Sequence, residues 1–253
     1  MNWNSVKSKL SYAFAISLVS ILLWEVCALI VRSESFPHLN MVIRDLWSLL
    51  RSFSFWKDLN ITLGTTLFSV VIGTILAVIL GAAIATSSIG DVSTRRVFNF
   101  IRAIPSVVVL PLLVSSIGSS LLTALYLSTY IVTFLLLTFV IRGITDIEPG
   151  LIESSYVSQI PFLRKITLVY LPALVSVLGT GLRLGASRAF GTVIASGIIA
   201  GTPGLGLALL TAQSSANYPR VFSYVFVMGI VGTIIYSSFS RLEKILIKWR
   251  VLT

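Results

Sequence analysis

The most informative part of this chain is residues 142–172, which read RGITDIEPGLIESSYVSQIPFLRKITLVYLP. This stretch is polar and charged, although the sequence on either side of it is strongly apolar. It closes with Leu171-Pro172. A polar helix held between two apolar segments indicates a point at which another molecule acts on the chain.

The composition of the whole chain predicts an integral membrane protein. Hydrophobic residues make up 56% of the 253 residues and charged residues only 11%, and a soluble domain of this size could not bury so much apolar surface. The net charge of +10 comes from basic residues scattered between apolar runs, which argues against a nucleic-acid surface. Cys27 and His38 are the only residues of their types, so neither a disulfide nor a metal site is expected.

Six apolar windows flank the polar stretch, and each is long enough to cross about 30 Å of hydrocarbon, which takes about 20 residues. The windows are residues 11–31, 60–86, 100–118, 120–141, 171–200 and 221–239. All six are expected to be helices, because lipid offers no partners to exposed backbone groups. The fold class is therefore predicted to be all-α, as one polytopic transmembrane domain over residues 1–253 with a polar segment at 142–170.

The distribution of basic residues predicts the orientation of these spans. With the N-terminus inside, twelve basic residues fall on the inner side and five on the outer side, which favours two cytoplasmic termini and a cytoplasmic 142–170 segment. The inner set is Lys7, Lys9, Arg95, Arg96, Arg102, Arg142, Arg164, Lys165, Arg241, Lys244, Lys248 and Arg250, and the outer set is Arg32, Arg44, Arg51, Lys57 and Arg220. A cleaved signal peptide is the alternative for the first window, but Glu25 and the long apolar run favour an uncleaved span.

An amphipathic helix is predicted between the first two spans. Its apolar residues recur at helical spacing with basic residues between them, and they are Val42, Leu46, Leu49, Leu50, Phe53 and Trp56. Two placements stay open for this helix: it lies in the outer interface of the bilayer, or it packs on the spans as an ordinary surface helix.

Span five contains Arg183 and Arg188, the two basic residues placed well inside the membrane. Charges there are costly and are candidates for function, although both arginines could also be structural and pair with neighbouring helices. They are separated by about 140° around a helix, so we expect one to face a pathway and the other a carboxylate or carbonyl. Glu25 is the single carboxylate placed in a span, which argues against a carrier driven by protons or sodium.

Two further features belong to spans two and three. Gly73, Ala77, Gly81 and Ala85 recur every four residues in span two and predict a face of close helix packing. Pro105 and Pro111 are expected to bend span three, and bent helices can line cavities.

The spacing Glu153-Ser154-Ser155-x3-Gln159-x9-Val169-x-Leu171-Pro172 resembles the EAA loop of ABC importer permeases, which reads Glu-Ala-Ala-x3-Gly-x9-Ile-x-Leu-Pro. Other stretches are similar to the binding-protein-dependent permeases for sulfonates, taurine and nitrate. These are residues 100–105 with Leu110-Pro111, residues 181–184, and residues 204–206. The resemblance extends over nearly the whole chain.

This resemblance implies a type I importer permease in the bacterial cytoplasmic membrane. It implies a second permease copy, identical or not, two ABC ATPase subunits that bind ATP and Mg²⁺, and an extracytoplasmic solute-binding protein. The chain itself is then a transport subunit with no cofactor, and it contains no Walker-type glycine loop. The residues that would couple to the ATPase are Glu153, Ser154, Ser155, Gln159, Leu171 and Pro172. The candidate pathway residues are Arg183, Arg188, Pro105 and Ser196.

The chain departs from the family pattern in ways that bear on the solute. Ser154, Ser155 and Gln159 replace Ala, Ala and Gly in the loop, and Ser196 stands near a position where relatives often carry an acidic residue. A sulfonate-, taurine- or nitrate-like anion is expected. A neutral metabolite or vitamin precursor is the alternative solute, and an ion-gradient-driven carrier or channel is the alternative class.

Overall fold

The computed structural model describes residues 3–31, 33–86, 100–101 and 104–247, and within them the regular structure is entirely helical. The helices are α1 Trp3–Val31, α2 Leu39–Leu50, α3 Phe53–Thr86, α4 Ser106–Ile117, α5 Leu121–Thr145, α6 Pro149–Val157, α7 Phe162–Lys165, a π-helix Ile166–Tyr170, α8 Leu171–Ala200, α9 Leu205–Ser214 and α10 Tyr218–Ile247. The predicted all-α class is confirmed.

Among the described residues, four segments are long and apolar enough to cross a membrane, and two shorter apolar helices accompany them. The four are Phe53–Ala85, Leu121–Thr145, Ile166–Ser214 and Tyr218–Leu246, and the shorter two are Leu18–Val31 and Ser106–Ile117. Helix α10 continues eight residues beyond the predicted end of span six at residue 239, because polar side chains lower hydropathy without interrupting backbone hydrogen bonds.

Helix α4 is shorter than the window predicted for span three. Pro105 has an extended ψ of 127° and precedes the helix, so it does not bend a helix interior as expected. Pro111 does lie inside α4. Gly118 has a φ of 74° and ends the helix, and its N–H donates to the carbonyl of Val114.

The chain forms two compact units, Met1–Trp56 with Leu209–Val227 and Lys57–Ala208 with Met228–Thr253. Three helices, α3, α9 and α10, contribute residues to both units. The first unit contains α1, α2 and the start of α10. Its aromatic cluster joins Trp24, Phe36 and Phe222, whose ring centroids are 4.8 to 5.5 Å apart.

The second unit is built around α5 and α8, and α3 packs closely on α5. A Cβ added at Gly73 would lie 2.7 Å from Val132 Cγ1, and one at Gly81 would lie 2.5 Å from Val140 Cγ1. Only glycine permits this approach, so the predicted small-residue face of span two is confirmed. One buried cluster of the unit consists of Val70, Ala77, Val132, Leu136, Ala186 and Ala189, and a second consists of Val140, Ile144 and Leu174.

Candidate functional site

Helix α6 forms the polar segment that the sequence predicted, and most of its side chains are free to meet another molecule. Glu153 and Ser154 are exposed, and Tyr156 and Val157 are 70% and 84% exposed. Ser155 is the exception, because only 3% of it is exposed and its hydroxyl donates to the Ile152 carbonyl at 2.6 Å. Ser154 alone of the two serines therefore lies on the outward face of α6.

Gln159 ends α6 in a left-handed conformation with a φ of 49°. Its N–H donates to Tyr156 O at 3.0 Å, and the Ile160 N–H donates to Ser155 O at 3.1 Å. These two bonds form a Schellman motif, in which the left-handed residue is usually glycine. The geometry therefore gives a physical reason for the glycine that the EAA pattern has at this position.

Replacing Gln159 with glycine is expected to stabilise the protein by about 1 kcal/mol. A side chain in the left-handed conformation costs about 1–2 kcal/mol, and glycine removes this cost. The gain outweighs the free-energy cost of the extra conformational entropy that glycine gives the unfolded chain, about 0.5–1 kcal/mol. Thermal denaturation in detergent measures the change as a higher Tm. Ser158→Gly is the matched control, because Ser158 has a φ of −76° and gains no such relief. A lower Tm for Gln159→Gly would contradict this account.

Beyond α6 the chain forms one continuous helical rod from Phe162 to Ala200. The π-helix widens the rod by a turn in which the Leu171 N–H donates to Ile166 O. This widening explains how Pro172, which cannot donate, is accommodated without a break. Leu171 and Pro172 therefore join the polar segment to α8, where the sequence suggested a boundary.

Lys165 ties α6 to the base of this rod. It is only 5% exposed, and its Nζ lies 3.3 Å from the centroid of the Tyr156 ring, a cation–π contact. Sequence reasoning missed this pair, because a spacing of nine residues across a turn has no periodic signal. This contact connects α6 directly to the residue that ends α7.

A cavity of about 510 Å³ lies between the start of α4, α5 and α8. Its lining is mostly apolar and includes Pro105, Tyr130, Phe134, Arg188, Thr192 and Ile199. The rings of Tyr130 and Phe134 stand 4.8 Å apart. The cavity thus brings together three of the predicted pathway residues, Pro105, Arg188 and Ser196.

Arg188 and Ser196 have different positions in this cavity. Arg188 is exposed to it, and no carboxylate of the described residues forms an ion pair with the guanidinium. Ser196 belongs to the wall but is fully buried, and its hydroxyl donates to Val193 O and shares a 2.8 Å bond with Thr202 Oγ1. Ser196 therefore supports the wall of the cavity from behind.

Arg183 lies against α10 and not in the cavity. Its Nε is 3.2 Å from Glu243 Oε2, and the two side chains are 25% and 13% exposed. The N–H does not point at the carboxylate well enough for a hydrogen bond, so the contact is an ion pair. Thr180 Oγ1 donates to Glu243 Oε1 at 2.5 Å, and Tyr236 places its ring 5.3 Å from the guanidinium. The sequence analysis missed Glu243, because span six was ended at residue 239.

The turn between α8 and α9 explains the motif at residues 204–206. Gly204 has a φ of 128°, and a Cβ there would lie 2.6 Å from Thr62 Oγ1. A Cβ at Gly206 would meet the Ile194 carbonyl oxygen at 2.2 Å. Thr62 accepts a bond from the Leu205 N–H at 2.9 Å, so this turn is fixed on α3 beside the end of α8.

Comparison with known proteins gives consistent results. The family described as binding-protein-dependent transport system inner membrane component matches residues 69–250. The putative aliphatic sulfonates transport permease protein SsuC of Bacillus subtilis is 23% identical over 92% of this chain and 85% of its own length. The riboflavin transport system permease protein RibX of Chloroflexus aurantiacus is 29% identical over 58% of this chain and 55% of its own length.

The fold is also similar to that of a solved transporter. A structure of the MetNI methionine ABC transporter in an inward-facing conformation aligns with a TM-score of 0.66 and 18% sequence identity. The alignment covers 77% of this chain and 96% of the solved chain. This likeness shows that the two chains share a fold over the aligned residues.

Proposed function

Because the chain belongs to the family of binding-protein-dependent transport system inner membrane components, we propose that it lines the pathway of an ATP-driven importer for a small organic anion. As a member of this family it is a transport subunit of an ABC importer in the membrane. Family membership decides against the ion-gradient-driven carrier or channel. In the proposed assembly a second permease copy, identical or not, completes the pathway.

The observation that carries the solute proposal is Arg188 in the cavity. A cation that pairs with no carboxylate in the described part of the chain attracts an anion, and the largely apolar lining favours a solute with a hydrocarbon or aromatic body. A sulfonate such as those named for the Bacillus subtilis relative has both parts, whereas nitrate has only the charge. The cavity therefore favours an organic sulfonate over an inorganic anion.

A neutral, flat metabolite is the second candidate solute. Tyr130 and Phe134 present adjacent rings on the cavity wall, and aromatic faces stack on flat ring systems. The similarity to a permease named for riboflavin supports this candidate. Such a solute would not need the charge of Arg188, so the two candidates predict different results for one substitution.

Arg188→Ala is expected to lower sulfonate uptake about tenfold or more. A hydrogen bond to a charged group contributes about 1.5–3 kcal/mol, and about 1.4 kcal/mol corresponds to a factor of ten. The measurement is uptake of a short alkanesulfonate by the purified complex, with its copurifying subunits, in proteoliposomes. Arg188→Lys should retain part of the uptake, because it keeps the charge.

Arg241→Ala is the matched control for the loss of one arginine, because Arg241 is exposed near the end of α10. It should transport like the unmodified protein. Unchanged sulfonate uptake in Arg188→Ala would reject the anion proposal. Uptake of riboflavin without uptake of sulfonate, and with no effect of Arg188→Ala, would support the neutral candidate.

The proposed energy source is a pair of ABC ATPase subunits that bind ATP and Mg²⁺ and dock on α6. Glu153, Ser154 and Val157 form an exposed polar and apolar face that suits such a docking site. The Lys165–Tyr156 contact and the rod from Phe162 to Ala200 join this face to Arg188 in the cavity wall. ATP-driven movement of α6 would thereby change the cavity.

The proposed orientation places both termini and α6 in the cytoplasm, and a solute-binding protein on the opposite side. Four basic residues of the inner set, Arg142, Arg164, Arg241 and Lys244, are exposed at one end of the spans or on the segment between α5 and α8. Other members of both sets lie outside the described residues or side chains: Lys7, Lys9, Arg32, Arg95, Arg96, Arg102, Lys248 and Arg250. The excess of inner basic residues in the whole sequence supports this orientation.

A further inference from the structure

Helix α2 has an exposed apolar strip that the transport pathway does not explain. The helix has 12 residues and is therefore about 18 Å long, too short to cross about 30 Å of hydrocarbon. Ile43, Trp47 and Leu50 form the strip and are 57%, 61% and 37% exposed. They fall within about 60° of one another around the helix, so they form one continuous stripe.

The remaining surface of α2 divides into a buried face and a polar face. Val42 and Leu49 are 3% and 1% exposed and form the buried face. The polar face borders a groove of about 500 Å³ that also includes Asn217 and Pro219, and its α2 residues include Asn40, Arg44, Asp45 and Ser48. The apolar strip lies between these two faces around the helix.

Polar contacts hold α2 where two spans end. Both oxygens of the Glu25 carboxylate are used, one accepting the Leu39 N–H and the other meeting His38 Nδ1, each at 2.8 Å. Asp45 pairs with Arg220 Nε at 2.8 Å. Glu25 lies less than two turns from the end of α1, and Arg220 lies in the first turn of α10. These attachments fix α2 beside the end of one apolar helix and the start of another.

Basic and aromatic residues border the apolar strip. The guanidinium of Arg51 lies 4.7 Å from the centroid of the Trp47 ring, and Arg44 is exposed further around the helix. Phe53 continues the apolar surface beyond the end of α2 and is 84% exposed. Tryptophan beside arginine, above an aliphatic stripe, is the pattern that suits the boundary between acyl chains and anionic headgroups.

We propose that α2 is an interfacial anchor, whose strip of Ile43, Trp47 and Leu50 lies in the outer leaflet while Arg44 and Arg51 meet lipid phosphates. The occupant of the strip is therefore lipid. A second copy of the chain or another subunit on the strip would bury the charge of Arg51. On the side of the helix that carries the strip, α2 has no carboxylate to pair with that charge. A soluble binding protein fits the polar face of α2 better than the apolar strip.

Site-directed spin labelling tests this placement in the assembled transporter in nanodiscs of phosphatidylethanolamine and phosphatidylglycerol. Cys27 is the only cysteine of this chain, so Cys27→Ser gives a permease chain without reactive thiols. Nitroxides are attached at Ile43→Cys and Leu50→Cys, with Ser48→Cys on the polar face as the matched control. Power saturation compares collisions with oxygen, which concentrates in hydrocarbon, and with a water-soluble nickel chelate.

Oxygen accessibility is expected to exceed nickel accessibility at positions 43 and 50, and nickel accessibility to exceed oxygen accessibility at position 48. Preferential nickel access at all three sites would place the helix in water and overturn the proposal. Low access of both reagents at positions 43 and 50 would show that protein covers the strip, which also overturns it. Neither result bears on the solute, because the anchor does not depend on the cavity.

Discussion

Replacing Glu153 with lysine is expected to abolish ATP-driven uptake without unfolding the permease. Glu153 is exposed on α6 and makes no ion pair with any described residue, so the fold does not depend on it. At a docked interface, disrupting a charged pair costs about 2–5 kcal/mol, which corresponds to at least about a tenfold loss. The measurement is uptake and ATPase activity of the reconstituted complex, with protein stability followed by Tm.

Two further variants distinguish the effect of the Glu153 charge from the effect of any charge change near α6. Glu153→Gln keeps the size and should lose less uptake than the charge reversal. Asp146→Lys is the matched control, because Asp146 is an exposed carboxylate at the end of α5 and lies outside α6. Unchanged uptake and ATPase activity in Glu153→Lys would remove α6 from the coupling pathway.

Cysteine labelling of the same transporter tests on which side of the membrane α6 lies. In the Cys27→Ser background, Ser158→Cys is exposed just beyond α6. A membrane-impermeant maleimide should label it in inverted vesicles and not in right-side-out vesicles. The reverse pattern would put the proposed coupling segment outside, where no ATP-hydrolysing subunit could reach it.

The sequence predicted helices in the right places because hydropathy is a local property. It placed boundaries less well. The start of α4 is set by backbone geometry at Pro105, and the end of α10 is set by continued backbone hydrogen bonding beyond residue 239. The apolar windows therefore indicated the spans, while helix ends depended on conformations that composition does not encode.

The site was less predictable, because its decisive contacts join residues distant in sequence. The angular separation of Arg183 and Arg188 indicated that they face different partners, but nothing local identified Glu243, 60 residues further along. The burial of Ser155 was not predictable either, because a nine-residue helix has too few turns for its sequence to reveal the buried side. The left-handed backbone of Gln159 was not predicted either, although the glycine that the EAA pattern has at this position was an available signal.

The Arg183–Glu243 pair is expected to be the most sensitive point in the stability of the second unit. Removing one partner of a buried ion pair costs about 3–5 kcal/mol, because the other charge is left unpaired, and the figure is lower here since a quarter of Arg183 is exposed. Glu243→Ala should therefore lower the Tm in detergent by several degrees. Arg183→Met combined with Glu243→Leu should recover most of that loss, because no unpaired charge remains.

Arg188→Ala is the matched control for this effect, because Arg188 has no carboxylate partner among the described residues, and it should leave the Tm unchanged while lowering anion uptake. Arg183→Ala should behave in the opposite way, with a lower Tm as its primary effect. A stable Glu243→Ala variant would show that the pair does not hold α8 to α10. Equal losses of stability in Arg183→Ala and Arg188→Ala would contradict the separate roles that the two positions on α8 imply.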